Sequence, residues 1–86
     1  MPRYFRNRRS EEIVAFLIEY GYHLVAEHGD DAIYALPNCV ITVKVPSRRS
    51  EVIPIVTMDN IRRCIRKCGF KNEDILNWWK ENKYGD

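Results

Sequence analysis

The sequence predicts an α+β domain with the order α-β-β-β-α, a three-stranded antiparallel sheet, two helices on one face of that sheet and an appended C-terminal helix. Three observations predict this class. Apolar residues recur at helical spacing near both ends of the chain, a β-prone stretch occupies its middle, and glycine or proline residues separate the segments. Short turns between consecutive strands favour antiparallel pairing.

The first helix is expected to begin at Ser10, a residue type that caps helix N-termini, and to end at Gly21. Glu11 and Glu12 fall in its first turn, where the helix dipole favours negative charge. Its buried side is predicted to carry Ile13, Phe16, Leu17 and Tyr20.

Strands are predicted over residues 22–28, 32–36 and 39–45, with a turn at Pro37-Asn38 and a stop at Pro46. The run from Val40 to Val43 is strongly β-prone because it is rich in β-branched residues.

The second helix is expected to begin at Thr57 and to close at Gly69, and Asn72 is expected to cap the third. The buried side of the second helix is predicted to carry Met58, Ile61, Ile65 and Cys68. Trp78 and Trp79 point in different directions from the third helix, so one should pack on the domain and the other should face a partner.

Composition bounds the classes of protein that fit. Eighty-six residues make one small domain. A net charge of +2 excludes a strongly basic nucleic-acid binder by overall balance, so a basic surface requires uneven distribution. No apolar run is long enough to span a membrane, and no secretory signal is present. Three cysteines without a Cys-x-x-Cys pair predict reduced thiols in the cytoplasm, and the sequence shows no metal or cofactor motif.

The chain divides into three predicted parts. Residues 1–9 carry four arginines, which favours a mobile basic arm over an ordered extension. Residues 10–70 form the domain itself. Residues 71–86 form the C-terminal helix and tail.

Basic residues concentrate on the third strand, the loop after it and the second helix, whereas most acidic residues lie elsewhere. Each basic residue alone is explained by the solvated face of a helix. Together they predict one surface that contacts the phosphates of a polyanion such as RNA. The predicted RNA-binding residues are Lys44, Arg48, Arg49, Arg62, Arg63, Arg66 and Lys67.

The segment from His28 to Asp31 is a candidate catalytic turn. Gly29 followed by Asp30 suits a two-residue type II′ hairpin loop, which makes His28 and Asp31 cross-strand partners. A carboxylate beside an imidazole can orient it as a general base. The alternative is a polar hairpin tip that carries a surface histidine.

The same register predicts a partner-binding face. It puts Val25, Ala32 and Tyr34 beneath the helices and leaves an apolar strip on the open face of the sheet, unless a bulge or a longer turn shifts the register. The strip comprises Leu24, Ala26, Ile33 and Ala35. Leu24, Ile33 and Trp79 are the predicted partner-binding residues.

From Ser10 to Phe70 the chain resembles the HicA family of small bacterial toxins. The matching pieces include Gly29-Asp30-Asp31-Ala32-Ile33-Tyr34, Val43-Lys44-Val45-Pro46, the stretch from Ile53 to Met58, and the helix that ends in Cys68-Gly69-Phe70. The resemblance implies a fold like that of a double-stranded-RNA-binding domain. It also implies a ribosome-independent mRNA interferase of a type II toxin–antitoxin system, neutralised by a HicB-like antitoxin.

The chain departs from this family at the hairpin, where the family has Gly-Ser-His with a catalytic histidine. Asp31 occupies the position of that histidine. A second family histidine, after the Val-Pro pair, corresponds to a region that here holds Arg48. Either His28 replaces the lost imidazole with Asp31 orienting it, or Asp31 is itself a weak base, or the chain binds RNA without cleaving it.

Two function classes therefore follow from the sequence. The first is a HicA-like RNA-binding protein, with endoribonuclease activity undecided because the motif histidine is missing. The alternative is a non-catalytic protein-interaction module of the same fold. A homodimer is compatible with both.

Overall fold

The computed structural model describes residues 6–82 of the chain. Its elements follow the order α1 (Ser10–Glu19), β1 (His23–His28), β2 (Asp31–Ala35), β3 (Val43–Pro46), α2 (Ile55–Lys67) and α3 (Asn72–Glu81). The three strands form one antiparallel sheet in the order β1-β2-β3. The predicted α+β class is confirmed. Within the described part of the chain, no helix has the length and apolar character needed to cross a membrane.

One hydrophobic core joins the sheet to all three helices. Alternate residues of β2 and β3 point into it, namely Ala32, Tyr34, Val43 and Val45. Burial of Ala32 and Tyr34 confirms the prediction for them. The helices add Ile13, Phe16 and Leu17 from α1, Met58, Ile61 and Ile65 from α2, and Ile75, Trp78 and Trp79 from α3.

The register of β1 changes at a bulge between Leu24 and Ala26. Two residues of the bulged strand then oppose one residue of the partner strand. Val25 is half exposed, so the prediction that it lies beneath the helices is wrong. Leu24 pairs with Tyr34, which points into the core, so the bulge removes Leu24 from the open-face strip.

The third strand is shorter than predicted, because residues 39–42 form a loop before it. Val40 is 95% exposed despite its β-prone neighbours. Cys39 in this loop forms a disulfide with Cys68 at the end of α2. The expectation of three reduced thiols is therefore wrong, and only Cys64 is a free thiol among the described cysteines.

Each predicted helix start is displaced. Arg9 occupies the N-cap position of α1, and Ser10 is a buried residue of its first turn. Pro54 precedes α2, so this helix begins two residues before Thr57. Lys71 occupies the N-cap position of α3, and its backbone N–H donates to the Asp74 carboxylate over 2.8 Å.

Part of the predicted mobile arm is built into the fold. Arg9 pairs with Val52 in an isolated antiparallel bridge, and the Arg8 carbonyl accepts a hydrogen bond from the Ile53 N–H. The Arg9 guanidinium donates to the Ser50 carbonyl over 2.7 Å. Residues 8 and 9 are thus an ordered extension, and residues 1–5 lie outside the described residues.

Candidate nucleic-acid interface

The β1–β2 hairpin has the predicted two-residue loop. His28 and Asp31 are register partners, as the type II′ turn requires. Gly29 has a φ of 58°, which is a left-handed conformation that glycine adopts without steric cost. The hairpin tip is also fixed to the loop after β3, because the Asp30 carbonyl accepts a hydrogen bond from the Ser47 N–H over 2.8 Å.

Asp31 lines a groove between the sheet and the first half of α2. The groove has a volume of about 480 Å³ and also contains the cationic side chains of Lys44 and Arg63. Thr57 and Asn60 add a hydroxyl and an amide to its wall. With Asp59, which also lines the groove, this arrangement gives two carboxylates, two cations and two neutral hydrogen-bonding groups around a single open space.

Asp59 forms ion pairs with two arginines of α2 that differ in solvent exposure. The Arg62 guanidinium lies 2.6 Å from one Asp59 oxygen and donates to Asn72 over 3.3 Å, and its side chain is only 14% exposed. Arg63 lies 3.0 Å from the other Asp59 oxygen, but its side chain is 67% exposed. Hydrogen bonding from Arg62, with the nearby Arg63 charge, holds the pKa of Asp59 below its usual value.

Arg62 therefore does not belong to the exposed basic surface. Its charge is engaged by Asp59, and its contact with Asn72 links α2 to the first turn of α3. The sequence predicted it as an RNA contact because it belongs to the concentration of basic residues on the second helix, but adjacent helix positions such as 62 and 63 point in directions that differ by about 100°.

A second cavity, of about 820 Å³, opens between the end of α2 and the start of α3. Four basic residues line it, namely Arg63, Arg66, Lys67 and Lys71. Gly69 and Phe70 also line it. Arg63 lines both this cavity and the groove that holds Asp31. We call the residues that connect the two spaces the basic strip: Lys44, Arg63, Arg66, Lys67 and Lys71.

The two remaining predicted RNA contacts line neither of the two spaces that this strip connects. Arg48 lines a smaller groove with Asp30, Asp31 and Glu51, where three carboxylates offset its charge. Arg49 lines a different cavity against α1, together with Glu11 and Glu27. The structure therefore does not gather all seven predicted residues into one surface.

The predicted partner-binding residues also separate. Ile33 pairs with Ala26 on one side and with Lys44 on the other, on the face of the sheet opposite Val43 and Val45, and it is half-buried. Leu24 is half exposed but has left that face through the bulge.

The prediction that Trp79 faces a partner is wrong, because its side chain is fully buried. Trp78 is buried as well, and its ring meets the edge of Phe16 at a centroid distance of 5.6 Å. Both tryptophans of α3 are core residues.

Sequence reasoning missed two features beside the interface. Lys71 is not among the predicted RNA contacts, although its place just after Gly69 and Phe70 puts it at the junction of two helices. The Cys39–Cys68 bond had no local signal, because 29 positions separate the two cysteines and only the folded chain brings their Cα atoms to 5.6 Å.

The chain matches no protein-family model and no curated protein sequence.

Proposed function

We propose that this chain is a HicA-like RNA-binding protein of a type II toxin–antitoxin module, which acts on RNA in the cytoplasm and is paired with a HicB-like antitoxin. The α-β-β-β-α order supports the proposal. The observation that carries it is the groove in which Asp31 lies together with Lys44 and Arg63. Asp31 occupies the sequence position at which the HicA family has its catalytic histidine. Lys44 and Arg63, the latter paired with Asp59, are the cations nearest that position and would contact a phosphate bound there.

The basic strip supports RNA rather than a small anion as the ligand. Its cations extend from β3 along α2 to the start of α3, and Arg63 connects its two cavities. Several phosphates in a row suit such an extended arrangement, because backbone contacts depend on the number of cations rather than on base identity.

RNA cleavage is a separate question from RNA binding. It requires a base that accepts the proton of a ribose 2′-hydroxyl and cations that stabilise the phosphate charge. The Asp31 carboxylate repels phosphate, whereas His28, its register partner, supplies an imidazole at the same hairpin. Variants of these two residues test whether either side chain takes part in cleavage.

Charge removal along the strip tests the proposal. The triple variant Arg63→Gln, Arg66→Gln, Lys67→Gln should bind a double-stranded RNA of about 16 base pairs, the length that a double-stranded-RNA-binding domain covers, more weakly than the parent. The slope of log affinity against log salt should become shallower by about 0.7–0.9 for each lost phosphate contact. Arg49→Gln, on the cavity against α1, is the matched control. Equal affinity and slope in the parent and the triple variant would refute the proposed surface.

A second candidate function is a protein-interaction module without RNA activity. The observation that favours it is the open face of the sheet, where Ala26, Ile33 and Ala35 remain partly accessible. An antitoxin or a second copy of the chain would cover this face under either function.

A further inference from the structure

The Cys39–Cys68 disulfide connects two segments that are otherwise remote in the chain. Cys39 lies in the loop between β2 and β3, and Cys68 is the C-cap residue of α2. The Cys68 sulfur also lies 3.6 Å from the Ile41 carbonyl oxygen of the same loop. The bond therefore attaches the loop directly to the end of the helix.

The attached helix end forms part of the basic strip. Arg66 and Lys67 immediately precede Cys68, and Gly69, Phe70 and Lys71 follow it. These five neighbours line the larger cavity. The position of Cys68 thus affects the direction in which the chain leaves α2. That direction in turn affects the position of Lys71 relative to Arg66.

The loop that carries Cys39 is exposed at its centre and begins with a hydrogen-bonded turn. Val40 is 95% exposed, and the Pro37-Asn38 turn is closed by a hydrogen bond from the Cys39 N–H to the Leu36 carbonyl. Both disulfide cysteines are only partly buried, with Cys68 packed against the edge of the hydrophobic core. In a reducing compartment, disulfides of this kind are commonly transient and redox-sensing rather than permanent.

Cys64 is not a competing partner for Cys68. It is a free, half-buried thiol one helical turn earlier on α2. Two cysteines at positions i and i+4 of one helix cannot form a disulfide unless the helix is distorted. Exchange of the Cys39–Cys68 bond for a Cys64–Cys68 bond is therefore disfavoured. Cys64 therefore serves as a matched control within the same helix.

We propose that the Cys39–Cys68 pair is a redox switch that regulates the basic strip; this inference rests on the proposed RNA-binding function. In the oxidised state the disulfide fixes the end of α2 and aligns the cations of the larger cavity. A dithiol, or two thiols of the glutathione class, breaks the sulfur–sulfur bond. Each cysteine sulfur gains one proton and one electron, and the reductant is oxidised to its own disulfide. The freed loop and helix end then no longer hold the strip in one geometry.

The test compares RNA binding by the full chain before and after reduction with dithiothreitol, using a fluorescent double-stranded RNA as the probe. Coupling between two sites commonly changes affinity by about fivefold or more, and we expect reduction to weaken binding by at least that factor. Cys39→Ser should bind as the reduced parent does under both conditions. Cys64→Ser should respond to reduction as the parent does.

Folding is followed in the same samples by far-UV circular dichroism and by hydrogen exchange. The expected result is a reduced chain that stays folded while the amides of residues 66–71 exchange faster. Equal RNA affinity in both redox states would overturn the switch but leave the proposed function standing. Absence of RNA binding in both states would refute the function itself. Global unfolding on reduction would show a structural crosslink rather than a switch.

Discussion

The guanidinium of Arg8 lies 4.7 Å from the centroid of the Trp79 ring, so the start of the described chain is packed against its last helix. The same guanidinium forms an ion pair with Glu12 at 3.3 Å on the first turns of α1. Trp79 is fully buried and Arg8 is nearly so. A desolvated cation over an indole face is more strongly attracted than one in water. This contact joins α1 and α3 through a residue that precedes both.

Arg8→Ala should therefore destabilise the fold. Loss of the cation–π contact, of the ion pair and of the packed aliphatic stem is expected to lower the free energy of unfolding by about 1–2 kcal/mol. Urea denaturation followed by tryptophan fluorescence measures the change. Arg6→Ala, at an exposed position two residues earlier, is the control and should be neutral. Equal denaturation midpoints for both variants would show that the contact contributes nothing.

Periodicity predicted the features that depend on neighbouring residues. The hairpin register was correct from the turn as far as the Ala26–Ile33 pair, because Gly29 and Asp30 specify a two-residue turn that fixes which residues face each other. Burial of Ala32 and Tyr34, which share one face of β2, was correct for the same reason.

Features that depend on distant contacts were not predictable from the pattern. Intrinsic β-propensity at Val40 did not decide its conformation, because the loop that carries it is bonded to the end of α2. The burial of Trp79 was not predictable, because its partner Arg8 stands 71 positions earlier in a segment that was expected to be mobile. The bulge at Val25 has no glycine or proline to mark it.

The pairing of Asp59 with two arginines predicts a pH dependence of stability. The pKa of Asp59 is lowered from 3.8, so its carboxylate stabilises the folded state at neutral pH. This contribution is present above the unfolded pKa and is lost as pH falls through the lower folded pKa. Asp59→Asn should thus have a lower Tm than the parent at pH 7.

The difference between the two melting temperatures should shrink as the pH is lowered below about 4, where the parent carboxylate also becomes protonated. Thermal denaturation by circular dichroism across this range measures it. Glu19→Gln, which removes an exposed carboxylate at the end of α1, is the control. A constant difference from pH 7 to pH 2 would contradict the role of the Arg62 and Arg63 pairing.

Substitution of Ile33 tests whether the open face of the sheet binds a protein. Ile33 stands between Ala26 and Lys44 in the register and is half-buried. Ile33→Thr keeps a β-branched side chain, so we expect the fold to persist while association with a co-expressed antitoxin or a second copy is lost. Size-exclusion chromatography with light scattering measures association, and Val40→Thr in the exposed loop is the control. Unfolding of the Ile33 variant would identify this residue as core instead.

The His28–Asp31 pair carries the chemical prediction. If the parent cleaves RNA, His28→Ala should abolish cleavage with little effect on Tm, because the side chain is exposed at the hairpin. Asp31→His returns an imidazole to the groove that contains Lys44 and Arg63, where a base and phosphate-binding cations would act together. It should create or raise cleavage even when the parent is inactive, and removal of one carboxylate should also tighten RNA binding.

Cleavage of a labelled RNA at neutral pH measures both variants, and Asp30→His, at the neighbouring loop position, is the matched control for an added histidine. The Asp31 variant depends on the alignment to the resembled family, whereas the His28 variant depends on the hairpin register. The two results therefore separate the two arguments. A parent that cleaves equally well without His28 would remove that residue from the mechanism. An Asp31→His variant that binds RNA without gaining cleavage would show that the groove lacks the geometry of a nuclease site, leaving RNA binding as the function of the basic strip.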